Sequence, residues 1–121
     1  MPQFFSGTLD FVGERFEVKY LAINEAVAPL EAIAHFNGAP WTFEVTGRRV
    51  PSTANVYEFK GPCRYAGSNR PSEPTLVDYI LRVKLSYENG ELDVEGEWRE
   101  AGKDEKYAVS GLLEEIPLQR R

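Results

Sequence analysis

Apolar and polar residues alternate with a period of two along most of this chain, and the alternation resolves into hairpins. Tyr79, Leu81, Val83, Leu85 and Tyr87 share one phase while Asp78, Arg82, Lys84 and Ser86 take the other, the pattern of a strand with one buried face. Asn89-Gly90 follows, a pair suited to a type I′ turn because both central residues need positive φ. A tight turn there sets Tyr87 opposite Leu92, Leu85 opposite Val94, Val83 opposite Gly96 and Leu81 opposite Trp98. The outward phase then faces Lys84 with Glu95 and Arg82 with Glu97, both favourable cross-strand pairs. Packing and charge choose the same register.

The N-terminal stretch reads the same way. Phe5, Gly7, Leu9 and Phe11 share a face, as do Phe16, Val18, Tyr20 and Ala22. Gly13-Glu14 suits a type II′ turn, which wants glycine first. That register pairs Phe11 with Phe16 and Leu9 with Val18, and leaves Asp10 facing Glu17, a like-charge pair that needs relief. Further strands follow from Trp41, Phe43 and Val45, from Tyr57, Phe59, Gly61, Cys63 and Tyr65, and from Tyr107, Val109, Gly111 and Leu113. Pro62 lies on the outward phase and lacks a ladder donor, which predicts an edge or a bulge. Between the second and third strands, Pro29 suits the first turn of a helix, Leu30, Ile33 and Ala34 fall on one helical face, and Gly38 is placed to stop it. Gly67 to Thr75, with two prolines and two serines, reads as a mobile loop.

The expected fold is therefore mainly β. It has seven strands in a mostly antiparallel curled sheet or small barrel, with one short helix at about 28–37 capping an end, in a single domain spanning 1–121. Glycine recurs on the inward phase at Gly7, Gly47, Gly61, Gly96 and Gly111, and interior glycines let strands coil tightly around a small barrel. A closed ring of seven strands requires one parallel pair with a long crossover. The helical segment predicts that pair to be the second and third strands.

Composition narrows the function. The chain has 121 residues and a formal charge of −5, which points away from nucleic acid and from anionic membranes. The N-terminus lacks the regions of a signal peptide, and no apolar run reaches the roughly 18 residues of a membrane span. A cytoplasmic protein is expected, consistent with a single cysteine, Cys63. One histidine and one cysteine without ligand spacing predict no metal site and no cofactor. His35 falls one helical turn from Glu31, but no nucleophile is near in sequence, so no catalytic residue is assigned and an enzyme is not the favoured reading.

Two binding surfaces remain. Glu91, Asp93, Glu95 and Glu97 occupy the outward phase of one strand and would dock a basic protein partner, as in an inhibitor, immunity or adaptor module. Alternatively, a tyrosine-lined interior would hold a small apolar or aromatic ligand. Its walls would include Tyr20, Tyr57, Tyr79 and Trp98, with Arg49 at the barrel mouth for an anionic group.

Overall fold

The computed structural model describes residues 3–36, 39–65 and 75–116. Eight strands follow in order: β1 (Gln3–Phe11), β2 (Glu14–Ile23), β3 (Val27–Phe36), β4 (Ala39–Arg49), β5 (Val56–Tyr65), β6 (Thr75–Glu88), β7 (Glu91–Glu100) and β8 (Lys106–Glu115). Each pairs antiparallel with its neighbour in sequence, and β8 returns to pair with β1, so the barrel closes. The mainly antiparallel barrel of the sequence reading stands, with two corrections: eight strands replace seven, and the helix at 28–37 is β3. An even number of strands closes with every pair antiparallel, so no parallel seam forms between β2 and the next strand. Gly38, residues 67–74 and the terminal Arg120-Arg121 lie outside the described residues. Among those described, no helix is long and apolar enough to cross a membrane.

The β3 error has a physical origin. Its buried positions are Ala28, Leu30, Ala32 and Ala34, while Ile33 stands on the other phase. Small residues inward and a large apolar residue outward invert the usual contrast of a strand. The inward alanines leave room for rings from β2, β4 and β7. Trp98, 1% exposed, sits at the centre of these. Phe16 and Phe43 meet it edge-on, with centroids at 4.8 and 4.9 Å, and Tyr79 stacks on it at 4.6 Å. Phe11 and Phe36 complete the cluster. Edge-to-face and offset-stacked rings are the arrangements their quadrupoles favour.

The β6–β7 hairpin has the register read from sequence, from Glu88 opposite Glu91 through Leu81 opposite Trp98. The β1–β2 hairpin does not. Its turn is Val12-Gly13, with φ of 48° and 74°, so Phe11 faces Glu14, Leu9 faces Phe16 and Asp10 faces Arg15. The shift replaces the like-charge Asp10–Glu17 pair with an opposite-charge one. Further along, both neighbours of β2 record a register shift, between Phe5 and Gly7 on one side and between Val18 and Tyr20 on the other. A bulge in β2 accounts for both, and it puts Leu21 in the core in place of Tyr20. The irregularity expected at Pro62 is present as a register shift between Pro62 and Arg64, with the extra residue on β6.

The inward glycines act as contact points. Phe59 lies over Gly47 and Val45 over Gly61. At Gly96 the approach is backbone to backbone: a Cβ there would come 2.0 Å from the Arg82 carbonyl oxygen and 2.6 Å from Val83 Cα. Such a clash is relieved only by moving a strand. Gly96→Ala should therefore cost about 3 kcal/mol, the upper part of the overpacking range. Gly102→Ala, with a φ of 86° and open space around it, should cost only the roughly 1–2 kcal/mol of left-handed strain. Urea denaturation of the two variants measures the difference, and equal losses would contradict the close approach of β6 and β7.

Candidate functional site

The acidic candidates stand together on the convex side of β7, and the register shows what surrounds them. Glu97 faces Arg82, Glu95 faces Lys84, Asp93 faces Ser86 and Glu91 faces Glu88 across β6. Across β8 the same four face Ala108, Ser110, Leu112 and Glu114. Charge compensation thus fades along the strand. Glu97 forms an ion pair with Lys106 at 3.4 Å, because Arg82 turns to Glu58 at 3.7 Å. Beyond Glu95, towards the Asn89-Gly90 turn, the outward row across β6, β7 and β8 is Glu88, Glu91 and Glu114. No cation pairs with these three or with Asp93 among the described residues. Like charges directly opposite in a ladder are unfavourable. Leu112 is set directly across from Asp93 and is 50% exposed.

Sequence reasoning missed Glu114 and Leu112. Leu112 was detectable, since it breaks the apolar-inward alternation of Tyr107, Val109, Gly111 and Leu113. Glu114 needed the β7–β8 register, which the connection Ala101–Glu105 does not fix from sequence.

The residues assigned to a ligand-binding interior do not converge. Tyr57 is buried, and its hydroxyl donates to the Glu25 carbonyl oxygen at 2.5 Å, closing the β2–β3 turn. Tyr20, turned out of the core by the β2 bulge, lines an outer hollow with Phe4, Ala22 and Pro29. Arg49 is exposed at the end of β4. Tyr87, also assigned inward, is exposed and donates to Glu115 at 2.6 Å, a bond that raises its phenol above the ordinary value. The placement of the Tyr65 side chain lies outside the described set.

Tyr79 and Trp98 share a hollow. It opens at the end of the barrel beside the β1–β2 turn and has a volume of about 350 Å3, bounded also by Phe11, Val12, Phe36 and Tyr107. Burial raises the Tyr79 phenol, and a hydrogen bond from Tyr107 to Glu105 raises that of Tyr107. Both stay protonated donors at neutral pH.

His35 does not meet Glu31. On a strand, residues four apart share a face but are separated by roughly 13 Å. His35 Nε2 instead donates to Glu17 Oε2 at 2.5 Å across β2–β3, with Arg15 at 3.5 Å from the same oxygen. Cys63 is buried, and desolvation pushes its thiol up to about 12, which makes it a poor nucleophile. No cluster of three metal-ligating residues occurs among the described residues.

The His35 hydrogen bond, aided by Arg15, holds the Glu17 carboxyl below its ordinary value of 4.5. A depressed folded-state pKa adds stability that is complete above the ordinary value and is lost as pH falls through the folded one. Wild-type protein should therefore lose stability more steeply than Glu17→Gln as pH drops below about 4.5. Urea midpoints between neutrality and acid test this, and parallel curves would show that the pair is not linked to folding. Comparison of the chain with family models, with curated proteins and with solved structures finds no match.

Proposed function

We propose that this protein is a non-catalytic binding module that docks a basic, partly apolar segment of another protein on the β7–β8 face. The supporting observation is the uncompensated row Glu88, Glu91 and Glu114, with Asp93 beside it, around the exposed Leu112. Such a row costs folding stability, and an exposed leucine adds nothing to the core. A partner that brings lysine or arginine side chains and covers Leu112 would remove both costs. Electrostatic complementarity of this kind steers encounter and suppresses wrong partners. The filled aromatic interior agrees with a protein that works through its surface.

A second reading is favoured by Val12. It is 64% exposed at the rim of the aromatic hollow and has a φ of 48°, doubly unfavourable for a β-branched residue. Strain of this kind concentrates at functional positions, and a small aromatic ligand seated on Tyr79 and Trp98 would cover it.

The two readings separate experimentally. For docking, a photo-crosslinking residue introduced at Leu112 should capture a basic protein. The capture should be lost in the triple variant Glu91→Gln, Asp93→Asn, Glu114→Gln, while folding stability stays equal or rises by about 0.5–1 kcal/mol. Capture that persists in the triple variant would remove this face from consideration. For the aromatic hollow, Val12→Asn should raise stability by roughly 1 kcal/mol and weaken binding of hydrophobic probes followed by tryptophan emission. An emission spectrum indifferent to such probes would end the second reading.

A further inference from the structure

Part of the convex side of β4, β5 and β6 gathers cations. Arg48 faces Glu58 across β4–β5, and Glu58 faces Arg82 across β5–β6. Above them is an open hollow of about 520 Å3, lined by Arg48, Arg49, Lys60, Arg82, Glu58 and Thr46, and floored at one end by Val50 and Pro51. The hollow lies at the end of β4 where Arg48 pairs with Glu58 and Arg49 with Tyr57.

The charge balance here is lopsided. Glu58 is shared by Lys60 at 3.3 Å and Arg82 at 3.7 Å. Arg48 and Arg49 have no side-chain partner among the described residues. Four cations against one carboxylate leave a formal +3 (4 − 1) at this hollow, in a chain whose total is −5. The adjoining hollow over β6, β7 and β8 provides the contrast. There Lys106 pairs with Glu97, Lys103 pairs with Glu100 beside the hollow, and Arg99 donates to the Lys103 carbonyl oxygen, while Arg82 and Glu58 are common to both hollows. Surface arginines are ordinarily met by carboxylates or dispersed. Arg48 and Arg49, consecutive on β4 and without a side-chain partner among the described residues, line the hollow with Lys60 and Arg82, and a concave surface with this excess of cations suits an anion.

We infer that this hollow binds a phosphorylated small molecule carrying two linked phosphates. Planar guanidinium forks match phosphate oxygens in pairs, and two of them with a flexible lysine supply enough donors for a diphosphate. The volume lies within the roughly 300–1,000 Å3 of small-ligand pockets and exceeds the need of a single phosphate. The inference is independent of the acidic docking face, since it uses none of the same residues.

Inorganic pyrophosphate is the probe, titrated into 15N-labelled protein at an ionic strength held constant with sodium chloride. Shifts should cluster at Thr46–Arg49, Glu58, Lys60 and Arg82. The variant Arg48→Gln with Arg49→Gln should weaken binding at least tenfold. The matched-network control Lys103→Gln with Lys106→Gln should leave it unchanged. Glu58→Gln removes the single carboxylate and should tighten binding several-fold, a gain that misfolding cannot produce. Vesicles containing phosphatidylserine should not bind under the same conditions, which separates a soluble phosphate from a lipid headgroup. Pyrophosphate shifts no larger than those of chloride, equal affinity in the double-arginine variant, weaker binding in Glu58→Gln, or binding of the vesicles alone would each overturn the inference.

Discussion

Closing eight strands into a ring pairs every backbone edge, but it also fixes an interior volume that side chains must fill. Trp98 meets that requirement. It lies nearly inaccessible at the barrel axis with Phe16 and Phe43 edge-on and Tyr79 stacked against it. The alanines of β3 are the complement of this ring cluster, and the glycines of β4 and β5 make room for neighbouring side chains. Phe59 occupies the space a Gly47 side chain would need, and Val45 the space at Gly61. Large residues on some strands thus demand small ones on others, and the barrel's cross-section follows from that exchange.

A filled axis leaves the outer surface and the two ends accessible. The tyrosines that a hollow interior would have used are distributed among structural tasks: Tyr57 ties the β2–β3 turn through Glu25, and Tyr87 reaches Glu115 at the opposite side of its hairpin. What is left for chemistry is the outer surface and the two ends. There, rigid strands fix the spacing of outward side chains, so charge placement on this barrel is a matter of register. This is why a shift of one residue, as in the β2 bulge, decides whether Tyr20 belongs to the core or to the surface.

The sequence was legible where a turn and two faces agreed. Asn89-Gly90 fixed β6 and β7 because asparagine and glycine both accept positive φ, and the apolar and charged pairs independently chose the same alignment. The β1–β2 turn was misplaced by one residue because valine is a poor occupant of positive φ, so Val12 did not look like a turn residue. The shift is explained by the ladder: Asp10 meets Arg15 in place of Glu17. β3 was hidden because its core face is mostly alanine, which carries helix propensity and little hydrophobic contrast. Of the candidate site, Glu91 and Asp93 were readable as an outward pair. Glu114 was not, since it depends on the strand across a loop whose length does not dictate register. The cationic hollow was not legible either, because it joins Arg48-Arg49 to Lys60 and Arg82 through pairings between three separate strands.

The outer charges follow a gradient that the fold itself does not require. β6 divides the surface: Arg82 and Lys84 face acids on β7, and Arg82 also reaches Glu58 on β5. Past Lys84 the next outward residue is Ser86, opposite Asp93, followed by Glu88 opposite Glu91. A lysine at Ser86 would extend the alternation and quiet the row at no cost to the core, because that position is exposed. The same holds in reverse on β4, where a carboxylate at Thr46, also exposed, would stand beside the unmatched arginines. Packing constrains neither position. Opposite charges therefore lie segregated on adjoining parts of one rigid wall, at sites where neutralising them would have been easy. That separation is what the acidic row around Leu112 and the hollow at Arg48 have in common: each is a charge excess set by register and not by packing.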